Sequence, residues 1–422
     1  MHSTAGDTQA APQTPINLHN LGRVRILQAL TSHARLSRAD LVRHTGLART
    51  TVSSVIFDLI SAGLVRESPD VRENSDTAAA AAAGAAPGQR TGRPPLLLRL
   101  EPEAAYAVGL DVGHDHVRAI VTDVVGTPRW DRTEALAVDD DPRRALDTAV
   151  RLIAEAVKDT AVPPHKILGL GLGIACPVDK TTGGLHAEGI MPGWVGTRPA
   201  DDLAERTGLP TQIINDANAG VLAERRFGAA REATNVVYVR LAAGIGAGMM
   251  SEGRMLLGHH GLAGELGHVM VELNGAVCRC GSRGCLETVA SPAAIAGLLA
   301  RSWGQPADSI DLPELLRRGD RGALRVVEDA GEAVGRALSA AVQLLNPQLV
   351  VIGGDLAEAG EALLEPIRRT LRRGTMGSLN QRLRIVPSTL GDSAGVRGAA
   401  ALVLDSVPQR LALDLPARGD LR

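Results

Sequence analysis

The chain has 422 residues, too many for one ordinary core, and about 150 residues per domain gives two to four folding units. Apolar residues make up 45% and charged residues 22%, and the formal net charge of -2 argues against a globally basic nucleic-acid binder, so any DNA affinity must be local. No run reaches about 18 consecutive apolar residues and the start is polar, so the expected compartment is the cytoplasm, with no membrane partner.

Residues 1–15 carry Ala, Pro, Gln and Thr with no hydrophobic period and read as a disordered tail. A first helix is expected from Leu18, with an apolar set of Leu21, Val24, Leu27 and Leu30. A second begins at Ser37, where Ser37-Arg38-Ala39-Asp40 reads as a capping box, and ends near Gly46. A third runs from about Arg49 to Ala62 and stops at Gly63, which suits a left-handed cap. Leu64 to Glu67 and Leu96 to Leu100 read as the two strands of a wing. Between them an Ala/Gly/Pro-rich insertion, 77–95, is too biased in composition to pack a core. Residues 16–100 therefore form a winged helix-turn-helix. Beyond it, over 104–404, apolar strands alternate with amphipathic helices, the texture of an α/β domain. Strands are expected at Tyr106–Leu110, Val117–Val125 and Ile167–Ile174 in a first lobe, and at Val236–Leu241 and Leu349–Gly353 in a second, with a helix at Ala330–Leu345. Residues 405–422 read as a tail.

In the third helix Val52, Val55, Ile56, Leu59 and Ile60 make one apolar stripe, which must face the other helices. Arg49, Thr50, Thr51, Ser53 and Ser54 then lie near the helix start, where a helix-turn-helix meets base edges and phosphates, and Arg38 opens the second helix. Between residues 16 and 66 there are seven arginines against Asp40 and Asp58, a local positive patch of the kind phosphate binding needs. Arg93, between Gly92 and Pro94, is narrow enough for a minor groove.

Three of the four cysteines, Cys278, Cys280 and Cys285, lie within eight residues, a crowding that suits a metal better than a disulfide scaffold. With His268 they make three thiolates and an imidazole, the closed set expected of structural rather than catalytic Zn2+. Cys176 stands apart as a small buried residue.

The run Glu265-Leu266-Gly267-His268 followed by Cys278-Arg279-Cys280-Gly281-Ser282-Arg283-Gly284-Cys285-Leu286-Glu287 resembles the signature of the ROK family of repressors and sugar kinases. Asn215-Asp216-Ala217-Asn218, Pro192-Gly193-Trp194 and Ala243-Gly244-Ile245-Gly246-Ala247-Gly248 are further landmarks, and the likeness extends from about Ile16 to Leu404. The resemblance implies an actin-like, ribonuclease H-like two-lobed ATPase fold with sugar in the cleft. Asn215, Asp216, Glu265, His268 and Glu287 would bind sugar hydroxyls, with Asp216 as the general base of the kinase members. The loop 264–287 would be held by zinc.

Kinase members carry Asp-x-Gly-Gly-Thr at the first phosphate loop, where this chain has Asp111-Val112-Gly113-His114-Asp115. A carboxylate at Asp115 replaces a hydroxyl and repels phosphate. The second loop, Ala242-Ala243-Gly244-Ile245-Gly246, has also lost its hydroxyl, and Gly353-Gly354-Asp355 adds an acid near the adenosine contact. These departures point to a non-catalytic homologue: a transcription regulator, a repressor of carbohydrate genes, binding operator DNA as a homodimer or homotetramer under a sugar effector. Ile190 stands where a sugar-binding Asn is common. Two alternatives stay open, an active ATP-dependent sugar kinase with a DNA-binding arm and a ligand-independent DNA binder.

Overall fold

The computed structural model describes residues 18–69 and 96–413. The expectations for residues 1–15, the whole 77–95 insertion with Arg93, and the end of the chain lie outside the described residues. The chain divides into two compact units, one of residues 1–104 with 406–422 and one of residues 105–405.

In the first unit α1 (Leu18–Ser32), β1 (Leu36–Ser37), α2 (Arg38–Thr45), α3 (Arg49–Ser61), β2 (Val65–Pro69) and β3 (Leu96–Leu100) follow in order. The capping box is formed at both bonds: Ser37 Oγ accepts from the Asp40 N–H at 3.2 Å, and Asp40 Oδ2 accepts from the Ser37 N–H at 2.9 Å. Gly46 and Gly63 take φ of 69° and 70°, left-handed values that end the helices without a Cβ penalty. The wing pairs antiparallel from Val65↔Leu100 to Pro69↔Leu96, and the two-residue β1 adds a third strand in the order β1-β3-β2.

Two apolar assignments shift. The buried face of α1 holds Ile26, Leu27 and Leu30, while Leu21 is exposed. A strict three-residue series turns about 300° per step and so winds off any one face. In α3, Val52, Val55, Ile56 and Leu59 are buried, but Ile60 sits at the edge of the stripe, 36% exposed.

The segment read as a C-terminal tail contains a helix, Val407–Leu413, that packs on α1 and belongs to the winged unit. Its buried residues Val407, Pro408, Leu411 and Ala412 share one face. Seven residues are too few to read as a helix from periodicity alone.

In the second unit the first lobe runs β4 (Tyr106–Val112), β5 (His116–Asp123), β6 (Pro128–Ala135), α4 (Pro142–Thr160), β7 (Ile167–Ile174), α5 (Pro199–Thr207), β8 (Thr211–Asn215) and α6 (Asp216–Phe227). The second runs β9 (Val236–Leu241), β10 (Ile245–Ser251), β11 (Arg254–Met255), α7 (Glu287–Ala290), α8 (Pro292–Trp303), α9 (Leu312–Arg317), α10 (Arg321–Leu345), β12 (Leu349–Gly353), α11 (Glu361–Gly374), α12 (Gly377–Asn380) and β13 (Arg384–Pro387). The helix α13 (Ala394–Leu404) returns to pack on β4 and β7, and the tail helix becomes α14. The two five-stranded sheets, β6-β5-β4-β7-β8 and β11-β10-β9-β12-β13, repeat one plan. In each, an antiparallel meander continues into two parallel strands. This duplicated plan is the two-lobed actin-like architecture expected from the resemblance. The central strands read as continuous apolar runs because both faces are covered. Among the described residues no helix is long and apolar enough to cross a membrane.

Removing the Leu411 side chain should leave a cavity in the seam with α1. Leu411→Ala is expected to destabilise the winged unit by about 2 kcal/mol, read as an earlier unfolding transition in calorimetry; an unchanged transition would show that α14 contributes nothing there.

Candidate functional site

The carboxyl ends of β4 and β8 in one sheet and of β9 in the other converge. There Asp111 ends β4, Asp216 opens α6, and Arg240 lies near the end of β9. Asn215 N-caps α6: its Oδ1 accepts from the Ala217 and Asn218 N–H groups at 3.0 and 3.2 Å, and its Nδ2 donates to Asp216 Oδ1 at 3.0 Å. The Asn-Asp pair is thus both a cap and a pocket wall, since Asn215 and Asp216 line one pocket with Asn218, Gly244, Glu265, His268, Arg279 and Glu287. All five residues assigned to sugar hydroxyls therefore meet in one place. Gly264 sets Glu265 there: its φ is 108°, and a Cβ would stand 1.9 Å from the Ala247 carbonyl oxygen.

Four polar groups that the sequence reading did not assign belong to the same region. Arg240 is partly buried, and its Nε lies 3.1 Å from Asp216 Oδ2. Burial raises the Asp216 pKa, with the Arg240 charge opposing it. The signal was a lone charge inside the apolar strand Val-Val-Tyr-Val-Arg-Leu. Arg279 donates through Nε to Glu287 Oε1 at 2.8 Å, while Glu287 Oε2 accepts from the Ile245 N–H at 3.1 Å. His114 lines both this pocket and the neighbouring one, and its Nδ1 is 2.7 Å from Asp139 Oδ1. The Pro192-Gly193-Trp194 corner supports that contact, because the Gly193 N–H donates to the Asp139 carbonyl and Trp194 Nε1 to the Val138 carbonyl at 2.8 Å. Asn218 is buried and its Oδ1 has no hydrogen-bond partner. Glu265 is pushed up to about 7 by burial and by the charges of Asp216 and Glu287.

The neighbouring pocket is lined by Asp111, Asp115, His116, Arg240, Asp355 and Asp392, among others. Here the expectation for Asp115 is modified. Its carboxylate points mostly to solvent and is bonded to His116 Nδ1 at 2.8 Å, so its charge is shared with an imidazole. His116 is pushed up to about 9 by its hydrogen bonds to Asp111 and Asp115. Asp355 also lines this pocket, its carboxyl raised by burial.

The loop Gly264–Glu287 brings His268, Cys278, Cys280 and Cys285 together, with donor atoms within 4.8 Å of one another. Cys278 Sγ is 3.6 Å from His268 Nδ1, and Cys280 Sγ is 3.7 Å from Cys285 Sγ. A tetrahedral ion with metal–sulfur bonds of about 2.3 Å has edges of about 3.7 Å, so these donors fit such an ion. Gly284 closes the loop at φ 70°, where a Cβ would stand 1.6 Å from the Glu272 carbonyl oxygen. His268 offers Nδ1 to the cluster and holds Nε2 4.0 Å from Glu265, so one imidazole touches the metal site and the pocket through different nitrogens.

On the winged unit Arg49, Thr50 and Ser53 are exposed on α3, Ser54 is half-buried, and the Thr51 methyl leans toward Gly22 of α1. Phe57, 66% exposed, extends that free face and was missed because the helical stripe accounts only for buried positions. The arginine patch is smaller than the count implied. Arg38 pairs with Glu67, Arg43 with Asp40 and Arg66 with Glu101, and Arg23 is buried beside Asp58. Glu67 directly follows that arginine-rich stretch, and Glu101 follows the second wing strand.

The ROK family profile matches residues 107–406, and a winged helix-turn-helix DNA-binding profile matches residues 23–66. The xylose repressor of Bacillus subtilis is 28% identical over 380 residues, covering 90% of this chain and 94% of the repressor. The glucokinase of Thermotoga maritima is 36% identical over 278 residues, covering 62% of this chain and 86% of the kinase. A solved ROK family transcriptional regulator, a homolog of the E. coli MLC protein, superposes with a TM-score of 0.74 at 25% identity, covering 94% of this chain and 98% of that one. Fold and site together define a winged-helix protein carrying a kinase-like two-lobed domain. The chain belongs to the ROK family.

His116 supplies a pH test. Its folded pKa of about 9 lies above the ordinary 6.5, so its stabilisation is complete below about pH 6.5, fades as pH rises and is gone above about pH 9. The melting-temperature gap between the wild type and His116→Asn should therefore be widest near pH 6 and narrow toward pH 9; a gap constant over that range would contradict the assignment.

Proposed function

We propose that this protein is a DNA-binding repressor of carbohydrate-related genes whose operator affinity is set by a sugar or sugar derivative in the Asn215, Asp216, Glu265, His268 and Glu287 pocket. The observation that carries the reading is the Arg240–Asp216 ion pair in a chain that also holds a winged helix. A general base must turn a free oxygen toward the hydroxyl it deprotonates, and both Asp216 oxygens are engaged, Oδ2 by Arg240 and Oδ1 by the Asn215 Nδ2 and the Ala217 N–H. The pocket then recognises hydroxyls and transfers no phosphoryl group. An effector acts by binding two conformations unequally, so it shifts DNA affinity only as far as that difference allows. The protein works in the cytoplasm, on double-stranded operator DNA.

Arg49, Thr50, Ser53 and Ser54 would meet the major groove, with Thr51 and Arg38 in supporting positions and Arg93 in the minor groove. A dimer or tetramer would read an inverted repeat with half-sites at helical-turn spacing. Footprinting on genomic DNA should show such a repeat, and ATP turnover with a hexose panel should be absent. Arg49→Ala is expected to weaken operator binding by about 1–3 kcal/mol in fluorescence anisotropy. No protected repeat at any salt concentration, or sugar-dependent turnover abolished by Asp216→Asn, would overturn the reading.

Zn2+ is the ion that suits the His268, Cys278, Cys280 and Cys285 set, in a structural role. It would fix the loop carrying His268 and Glu287, so chelation should remove one equivalent of zinc and abolish the effector response measured by anisotropy. A full response from metal-free protein would refute the structural role.

A further inference from the structure

The cations inside the effector pocket have a consequence for ligand class. Arg279 uses only Nε toward Glu287, and among the described residues its two terminal nitrogens make no other hydrogen bond. Its Nη2 lies 3.3 Å from where a Cβ on Gly244 would stand, so it faces the pocket wall that the missing side chain leaves open. Ile190 lines the same pocket, and an isoleucine offers a hydroxyl nothing. Among the pocket carboxylates, Asp216 shares its charge with Arg240 and Glu287 with Arg279, so Glu265 is the one that faces no arginine. The orphan Oδ1 of Asn218 adds a neutral acceptor. A neutral polyol uses only hydroxyl partners, whereas a guanidinium at the rim of the pocket with its terminal N–H groups unused is matched by a carboxylate or phosphate that accepts from both.

Resting on the reading of this pocket as the effector site, we infer that the effector is an anionic sugar, with Arg279 holding its charged group while Glu265 and Asn218 take hydroxyls. The shared chemistry is a polyol bearing one anion, from a sugar phosphate or a sugar acid.

The test is calorimetry on full-length, metal-loaded protein with three arms: glucose, xylose and N-acetylglucosamine; the 6-phosphates of glucose and N-acetylglucosamine; and gluconate and glucuronate. At least one anionic ligand should bind ten-fold or more tightly than its neutral parent, and its affinity should fall with added salt while the parent's does not. The phosphate and acid arms tell the two sources apart. Arg279→Gln should erase the preference and Arg279→Lys should keep part of it, which separates charge recognition from misfolding. Equal or tighter binding of the neutral parents would overturn this inference and leave the sugar-responsive repressor standing. No binding in any arm, with the operator footprint intact, would remove the sensor reading itself.

Discussion

The Asp216–Arg240 ion pair joins the two lobes at the floor of the cleft, and the chemistry around it follows from that contact. Asp216 comes from the first sheet by way of the α6 N-terminus, and Arg240 from the second sheet. Both side chains are largely shielded from water, and each compensates part of the hydration the other has lost. In a phosphoryl-transfer site a cation at this depth would stabilise developing charge on substrate. Here an internal carboxylate takes that interaction.

Around this pair polar groups are arranged in supporting tiers. Asn215 caps the helix that presents Asp216, and the Pro192-Gly193-Trp194 corner pins the segment whose Asp139 orients His114. On the opposite wall the cysteine loop sets His268, and Glu287 is fixed between the Ile245 N–H and Arg279. Outer contacts of this kind decide where ligand-facing groups sit, because a side chain free to rotate discriminates poorly between hydroxyl patterns. The pocket is built from both lobes, so a ligand bridging it would bias their relative position, which is the property a switch needs.

The winged unit shows a similar economy of charge. Four of the seven arginines between residues 16 and 66 pair with carboxylates inside the unit, which narrows the basic surface beside the free face of α3. Such a face favours reading of groove edges over strong non-specific attraction, since the salt-dependent part of affinity scales with the number of phosphates neutralised.

Much of this was legible in the sequence because it is encoded locally. The capping box at Ser37, the stops at Gly46 and Gly63, the β7, β9 and β12 strands, the clustered cysteines and the family signature each sit within a few residues, where backbone preference and donor spacing act directly. What only the tertiary structure decided joins distant positions. Arg240 meets Asp216, Glu67 and Glu101 neutralise arginines counted as free, and α14 returns to α1 across the length of the chain. The kinase question turned the same way. Asp115 was one of three phosphate-site departures in the sequence, and folding pairs it with His116 at the surface, while Asp216 meets an arginine that local motifs do not contain. A charge acts on whatever folding brings within a few ångströms, and sequence separation does not measure that distance.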